Sequence, residues 1–151
     1  MKRQVISASI LSAFLATAVA TAAEDPVAVR KAQMQSNAAS AAVAGAMLKG
    51  ELDYNPAVAK AAIASLNATA KAFGDYFPEG SDEGETTAAP AIWDNPEGFQ
   101  QALGKFQADA AAAVQASGRE GPASLEAFQQ AITPVLSNCR SCHENFRVRN
   151  N

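Results

Sequence analysis

Helical periodicity is the feature that most constrains how this chain can fold. Ala, Gln, Lys, Glu and Leu, all good helix formers, dominate the sequence, and alternating runs of Val, Ile, Thr and Tyr are absent from it. Pro suits the first turn of a helix and Gly suits its end, so these residues mark boundaries. The pattern predicts helices at about 26–49, 55–73, 95–117 and 123–146. Four amphipathic helices of comparable length predict an all-α fold, an antiparallel four-helix bundle.

Apolar residues recur along each predicted helix at a spacing of three or four, and we expect these stripes to face the core. The connection at 74–95 is long and irregular, with Ile92 and Trp93 as its expected anchors. Pro134 removes one backbone donor from the fourth helix, which predicts a kink or a short break there. The expected stripes are Val27, Met34, Ala38, Ala41, Gly45 and Leu48; Val58, Ala62, Leu66, Ala70 and Phe73; Phe99, Leu103, Phe106, Ala110 and Val114; and Leu125, Phe128, Ile132, Val135, Leu136, Cys139, Cys142, His143 and Phe146.

The N-terminal 22 residues are predicted to be a secretory signal peptide. Met1, Lys2 and Arg3 form a short basic region, 5–20 is apolar or small, and small residues fill the expected cleavage zone. The apolar run is too short and too rich in Ala, Ser and Thr for a membrane span of about 20 apolar residues. An uncleaved N-terminal anchor is the alternative. We therefore expect 23–151 to form one exported domain.

The charge of the chain argues against nucleic acid as a partner. The chain has 12 basic and 15 acidic residues, and loss of Lys2 and Arg3 with the signal changes the formal net charge from −3 to −5. A negative surface repels phosphate backbones, and the sequence has no basic run interleaved with aromatic residues. Beyond the signal, the sequence does not indicate a membrane partner either.

The pattern Cys-Arg-Ser-Cys-His at 139–143 indicates the chemistry of the chain. Positions i, i+3 and i+4 of a helix share one face, so both sulfurs and the imidazole project the same way. Covalent attachment of a haem needs this arrangement, because Cys139 and Cys142 can form thioethers with its vinyl groups while His143 reaches the iron. Export agrees with it, since c-type attachment takes place outside the cytoplasm. We expect one covalent haem c, with His143 as the metal ligand.

Three other interpretations of the motif are weaker. A thioredoxin-like redox pair usually begins a helix after a strand, and here no strand is predicted. A zinc site normally needs four ligands, whereas the chain has two Cys and one His. A disulfide between Cys139 and Cys142 would leave His143 unexplained and would constrain little of the unfolded chain. Having one histidine also excludes bis-histidine ligation, so the sixth iron ligand is Met34 or Met47, a weak ligand, or nothing.

The chain resembles the class II c-type cytochromes, which include the cytochromes c′. The resemblance covers essentially the whole mature sequence: the four-helix pattern, Arg-Lys-Ala-Gln-Met at 30–34, Phe-Pro-Glu-Gly at 77–80, Ala-Ile-Trp at 91–93, and the motif with its flanks at 139–147. The position of the motif near the C-terminus selects this family, because the small cytochromes c carry it near the N-terminus.

The resemblance implies further site residues. Met34 matches the position above the distal haem face, where cytochromes c′ have a non-coordinating apolar residue and low-spin relatives have a ligating Met. Arg30 matches an arginine associated with the haem propionates, although a solvated surface arginine is the alternative from the sequence itself. Arg147 matches a basic residue beside the proximal histidine. The family also implies a homodimer formed through the first two helices.

These observations predict a periplasmic haem protein with five-coordinate, high-spin iron. It is expected to bind small gases such as nitric oxide and carbon monoxide, to exchange single electrons with redox partner proteins, or both. One alternative is a low-spin electron carrier in which Met34 is the sixth ligand, and another is a non-haem helical redox or interaction protein. We assign no catalytic residue and expect no enzyme, since no second histidine or carboxylate cluster aligns with the haem face.

Overall fold

The computed structural model describes residues 25–148, and these form a bundle of four long helices with one short helix inside the long connection. Successive long helices contact one another and the first also contacts the last, which closes the bundle. The predicted all-α four-helix bundle is therefore confirmed. None of the described helices is long and apolar enough to cross a membrane. The predicted signal peptide lies outside the described residues. The helices are α1 (Pro26–Lys49), α2 (Pro56–Ala72), α3 (Ala91–Asp94), α4 (Pro96–Ser117) and α5 (Leu125–Phe146).

Local chemistry sets the helix ends, and it does so where the sequence predicts. The Asp25 carboxylate accepts a hydrogen bond from the Val27 amide at 2.9 Å, which satisfies a free donor of the first turn of α1. Gly50 ends α1 in the left-handed conformation, with φ of 73°. Side-chain oxygens cap the other three long helices in the same way, from Asn55, Asn95 and Ser124.

Two details of the predicted helices are wrong. Gly74 does not end the second helix, because the chain continues as a 3-10 turn over Phe73–Tyr76. A Cβ at Gly74 would lie 3.1 Å from a methyl of Leu103, so this glycine permits close packing of the turn on α4. The short break predicted as one possibility at Pro134 is absent, because α5 is continuous through it, whereas the alternative of a kink stays a prediction. Pro134 and Gln130 are both exposed, so water can satisfy the Gln130 carbonyl that the proline leaves without an amide.

Two groups of apolar side chains form the core. Cluster A consists of Ala44, Met47, Ala59, Ile63, Leu66, Ala70, Ala110, Ala113, Phe128, Ile132 and Val135, with Val43, Leu48, Phe106, Ala131 and Leu136 among the side chains packed on it. Cluster B consists of Phe73, Ile92, Phe99 and Leu103, with Met34, Phe77, Ala88, Trp93 and Phe146 packed on it. The expected anchoring of the long connection by Ile92 and Trp93 is confirmed.

The two clusters do not meet along α1 and α5. Within the described chain, no member of either cluster lies at 35–42 of α1 or at 137–145 of α5. We call these two stretches together the inter-cluster gap. The α1 stretch reads Gln-Ser-Asn-Ala-Ala-Ser-Ala-Ala, which is small or polar throughout. The gap is where the structure places the Cys-x-x-Cys-His motif.

The expected core stripes are confirmed for most residues in the middle of each helix. A few of the residues predicted to be buried are exposed instead. Val58, Val114 and Leu125 are exposed, and so is Ala38. The predicted face of α1 is rotated from the true one, since its buried residues are Arg30, Asn37, Ala44 and Met47. Alanine suits both core and surface, so an Ala-rich helix gives a weak signal for its buried face.

Candidate functional site

The last two turns of α5 carry the Cys-x-x-Cys-His motif on one face of the helix, as its spacing predicts. Cys139 and Cys142 are half-buried and both are free thiols, while His143 is exposed. The Cys139 sulfur is 3.9 Å from the Val135 carbonyl oxygen, a weak contact within its own helix. The structure therefore brings the three predicted residues together, with both sulfurs available for other chemistry.

The two thiols are not poised as a redox pair. Burial raises the pKa of Cys139, and burial together with the neighbouring Cys139 raises the pKa of Cys142. Reactive cysteine pairs have a lowered pKa instead, because the thiolate is the nucleophile. At neutral pH both sulfurs are protonated, which argues against the thioredoxin-like interpretation.

The surroundings of His143 favour the neutral form of its imidazole. Partial burial lowers the pKa of His143, and the positive charge of Arg147 lowers it further. A lowered pKa favours the neutral imidazole, whose free lone pair can bind a metal. The structure thus places Arg147 where its charge acts on His143, as the family resemblance implies. Its effect on an iron centre stays a prediction.

A partly buried hydrogen-bond pair fixes the turn that precedes the motif. The Asn138 amide donates to the Asp109 carboxylate on α4 at 2.7 Å and to the Pro134 carbonyl at 3.1 Å. Lys105 donates to the same Asp109 oxygen at 2.6 Å. Hydrogen bonds from Lys105 and then Asn138 lower the pKa of Asp109. Sequence reasoning missed this pair, because its partners lie on different helices.

Arg30 is buried, with 5% of its surface exposed, so the alternative of a solvated surface arginine is wrong. Its Nη1 donates to the Tyr76 carbonyl at 3.1 Å and to the Ser81 hydroxyl at 3.0 Å. Its Nη2 donates to the Ser81 carbonyl at 2.6 Å and to the Thr86 hydroxyl at 3.4 Å. A guanidinium has five N–H donors. The connection after α2 therefore uses four of them, and the pairing of Arg30 with a haem propionate stays a prediction.

Aromatic rings cover the same guanidinium. Its central carbon lies 4.7 Å from the centre of the Phe77 ring and 6.0 Å from that of Trp93. These distances are in the range of cation–π attraction. Arg30 thus joins α1 to cluster B as well as to the connection.

The connection that Arg30 holds also pairs with the chain directly after the motif. The Ala89 amide donates to the Phe146 carbonyl at 3.0 Å, and the Val148 amide donates to the Thr87 carbonyl at 2.9 Å. These bonds form an isolated antiparallel bridge between Ala88 and Arg147. The end of α5 is therefore fixed within four residues of His143.

The two methionines that sequence analysis left open as iron ligands have different surroundings in the structure. Met47 is 1% exposed and belongs to cluster A, so it is a core residue. Met34 is half-buried and packs against cluster B, as Phe146 does. Met34 therefore borders the inter-cluster gap on α1 while Phe146 borders it on α5. The position of Met34 relative to an iron centre stays a prediction.

Polar atoms without partners lie beside the gap, and they provide a test of whether a haem fits there. The side-chain oxygens of Gln33 and Asn37 on α1 are buried and accept no hydrogen bond. Buried polar atoms in native proteins are nearly always paired. Together with the small side chains of 35–42 and the free thiols opposite, these atoms fit a flat group that enters between α1 and α5. The chain's residues therefore fit haem c.

Comparisons with known proteins agree over the whole described chain. A family model described as Cytochrome C′ matches residues 25–147. Cytochrome c-556 of Agrobacterium fabrum is 32% identical over 149 residues, which cover 99% of this chain and 98% of that protein. The solved structure of cytochrome c′ from Rhodopseudomonas palustris is 31% identical, with a TM-score of 0.77, and the match covers 85% of this chain and 100% of that one. Another solved structure, 26% identical with a TM-score of 0.72 and covering 83% of this chain and 96% of that one, is described as a cytochrome c′ with an unusual ligand-controlled dimer dissociation.

The Asp109 and Asn138 pair predicts a specific acid dependence of stability. Asp109→Asn removes the charge, so we expect the free energy of unfolding at pH 7 to fall by about 1–2 kcal/mol. The pKa of Asp109 in the folded protein lies below its ordinary value of 3.8. The extra free energy of unfolding of the wild type over the variant should therefore be complete above pH 3.8, and it should vanish as the pH falls through the folded pKa. Urea unfolding of both proteins between pH 7 and pH 2 measures the difference. Asp53→Asn, at an exposed carboxylate, is the control, and a difference for Asp109→Asn that is independent of pH would contradict the assignment.

The buried contacts of Arg30 predict that its substitution lowers the stability of the protein strongly. Arg30→Gln removes the charged N–H donors of the buried guanidinium, and we expect the free energy of unfolding to fall by about 3 kcal/mol. The neighbouring Lys31 is a matched control, since its side chain is exposed and its nitrogen forms a surface ion pair with Glu85 at 3.7 Å. Lys31→Gln should cost less than about 0.5 kcal/mol. Hydrogen exchange at the Ala89 and Val148 amides should also accelerate in Arg30→Gln alone. Equal stability of the two variants would contradict the role of Arg30.

Proposed function

This chain belongs to the cytochrome c′ family and carries one covalent haem c, and on that basis we propose that Cys139, Cys142 and His143 hold the haem. The observation that carries the proposal is the placement of these three side chains on one face of α5, inside the inter-cluster gap. Two protonated free thiols and a neutral imidazole are the groups that thioether attachment and iron ligation need. The alternative of a non-haem helical protein is wrong, because the family is a haem c family.

Haem supplies a one-electron couple and an iron site for small ligands when it is bound. The chain's own residues would provide the rest. His143 would bind the iron, and the charge of Arg147 beside it would favour the less positive reduced state. Asn138 and the bridge at Arg147 would hold the motif helix on both sides of His143. We assign no catalytic role to any residue.

We further infer that the iron is five-coordinate and that the protein binds small gases such as nitric oxide and carbon monoxide, exchanges single electrons with redox partner proteins, or both. The packing of Met34 on the apolar side chains of cluster B supports the five-coordinate state, since these contacts engage its side chain without a metal. The second candidate is a low-spin electron carrier in which the Met34 thioether is the sixth ligand. Thioether is a competent haem ligand wherever the helix brings it close enough.

We propose that the protein works in the periplasm as a homodimer. The predicted signal peptide at 1–22 and the extracytoplasmic attachment of haem c support the location. The outward faces of α1 and α2 support the dimer, because they present small exposed side chains that allow close helix approach, among them Ala39, Ala42, Ala57, Ala61 and Ala64. Dimer dissociation controlled by ligand is described for one of the related solved structures.

Haem attachment through the two cysteines can be tested directly. The exported protein should keep its haem through denaturing electrophoresis and acid–organic extraction, because thioethers survive both. Cys139→Ser and Cys142→Ser should each lower the yield of haem-stained protein. Ser137→Ala, which alters an exposed residue of the same helix, is the control and should keep the full yield. Loss of the haem stain from the denatured wild-type protein would contradict covalent attachment of the haem.

Substitution of Met34 distinguishes the five-coordinate state from the low-spin state in which Met34 is an iron ligand. In the five-coordinate case the ferrous wild type is high-spin, and Met34→Leu, which keeps the volume and removes the thioether, leaves its visible spectrum unchanged. Met34→Ala should then open the site and raise the carbon monoxide association rate about tenfold, a fall of about 1.4 kcal/mol in the barrier. A low-spin ferrous wild type that becomes high-spin in both variants would establish the electron carrier instead.

A further inference from the structure

The chain directly after the motif helix is held by a very small pairing. Arg147 caps α5 with an extended backbone, at φ of −128° and ψ of 130°. Its pairing with Ala88 is an isolated bridge, made by the two backbone hydrogen bonds described above. A pairing of two short segments is marginal in water unless something else supports it. The bridge therefore depends on the residues that fix the segment around Ala88.

Thr86 fixes that segment. Ala88 and Arg147 lie opposite each other between the two hydrogen bonds, which is the non-hydrogen-bonded arrangement of an antiparallel pair. In this arrangement the Ala88 amide points away from Arg147 and needs another acceptor. The Thr86 hydroxyl is this acceptor, at 3.1 Å, in a local bond of the kind that shapes turns. The hydroxyl thereby orients Ala88 for the pairing.

The same hydroxyl connects the bridge to the buried arginine of α1. The Thr86 oxygen also accepts a hydrogen bond from Nη2 of Arg30 at 3.4 Å. Arg30 has further acceptors on Tyr76 and Ser81, so it stays anchored without Thr86. Within the described chain, Thr86 is the one side chain that is hydrogen-bonded both to Arg30 and to a residue of the bridge. Loss of its hydroxyl would therefore loosen the bridge and leave the rest of the connection in place.

Arg147 is positioned by its backbone and not by its side chain. The residue is exposed, and among the described residues its guanidinium has neither an ion pair nor a hydrogen bond. It lies one turn after His143, and its positive charge acts on that imidazole. How steadily the charge acts on His143 depends on how firmly the bridge holds the Arg147 backbone.

We propose that Thr86 is a positioning residue for Arg147: its hydroxyl holds the bridge, and the bridge keeps the charge of Arg147 at a fixed place beside His143. The proposal rests on the haem site proposed above, where that charge favours the reduced state. Thr86 is hydrogen-bonded to no residue of the Cys-x-x-Cys-His motif in the described chain, so it acts through Arg147. A side chain of the long connection thus adjusts the surroundings of the iron ligand.

Thr86→Val keeps the shape of the side chain and removes its hydroxyl. In the holoprotein, hydrogen exchange at the Ala89 and Val148 amides should accelerate about fivefold to tenfold. The equilibrium constant for reduction should fall about twofold to threefold, because a loosely held Arg147 favours the reduced state less and the effect of an exposed charge is small. This corresponds to a midpoint potential lower by about 20–30 mV, at about 59 mV per tenfold change. Thr86→Ser retains the hydroxyl and should restore both values.

Two controls separate positioning from a general loss of stability. Thr87→Val alters the next residue, whose hydroxyl has no hydrogen bond within the described chain. It should change neither value, since the Thr87 carbonyl still accepts from the Val148 amide. Ser81→Ala removes a different acceptor of Arg30, so it should lower the unfolding temperature and leave the midpoint potential unchanged.

A double-mutant cycle tests whether Thr86 acts through Arg147. Arg147→Gln removes the charge, so adding Thr86→Val should leave the midpoint potential where Arg147→Gln alone places it, although the two amides still exchange faster. An equal fall in potential in both backgrounds would overturn the proposal, and so would unchanged exchange at the Val148 amide in Thr86→Val. Absence of haem from the exported wild type would instead overturn the proposed function.

Discussion

The separation of the two apolar clusters along α1 and α5 is the constraint on which the site depends. Cluster A holds one part of the bundle with eleven buried residues, of which five are Ala, and cluster B holds the other part largely with aromatic rings. Protein interiors are packed to a density of about 0.75, so a stretch with only small or polar side chains needs something else to fill it. A haem attached at Cys139 and Cys142, as proposed, would meet this need, because it would bring a large apolar surface to the place where the chain supplies least.

The second constraint is that the residues around His143 are fixed from both directions. Before the motif, Asn138 is tied to Asp109 of α4, and after it, the bridge at Arg147 ties the chain to the connection that Arg30 holds. A ligand position must be kept within a fraction of an ångström for its metal to keep one geometry. Because Arg30 is on α1 and the bridge is at the end of α5, the connection also links the two helices that border the gap.

Sequence reasoning succeeded where the cause is local. Asp25, Pro26 and Gly50 set both ends of α1, and the motif spacing set the face of α5, because capping and helical periodicity act over a few residues. It failed on the buried face of α1, because Arg30 and Asn37 are buried although the predicted stripe included neither of them. The reasons a polar residue is buried lie elsewhere in the chain: the partners of Arg30 are 46 to 56 residues away, and those of Asn138 are partly on α4. Family resemblance singled out Arg30 but not its contacts.

The polar groups buried in this bundle fall into two kinds, and the difference separates structure from site. Arg30, Asn138 and Ser117 donate to carbonyls, hydroxyls or a carboxylate of the protein, and each of them ties one segment to another or closes a helix end. Gln33, Asn37 and Asn67 have unpaired oxygens and tie nothing together. A buried amide without a partner lowers stability, so its presence in an otherwise satisfied core has to be explained by something that the folded chain binds. Gln33 and Asn37 lie one turn apart on α1, and Asn67 lies on α2. Within the described residues, the buried polar atoms that the folded chain leaves unpaired are therefore confined to the two helices that precede the long connection.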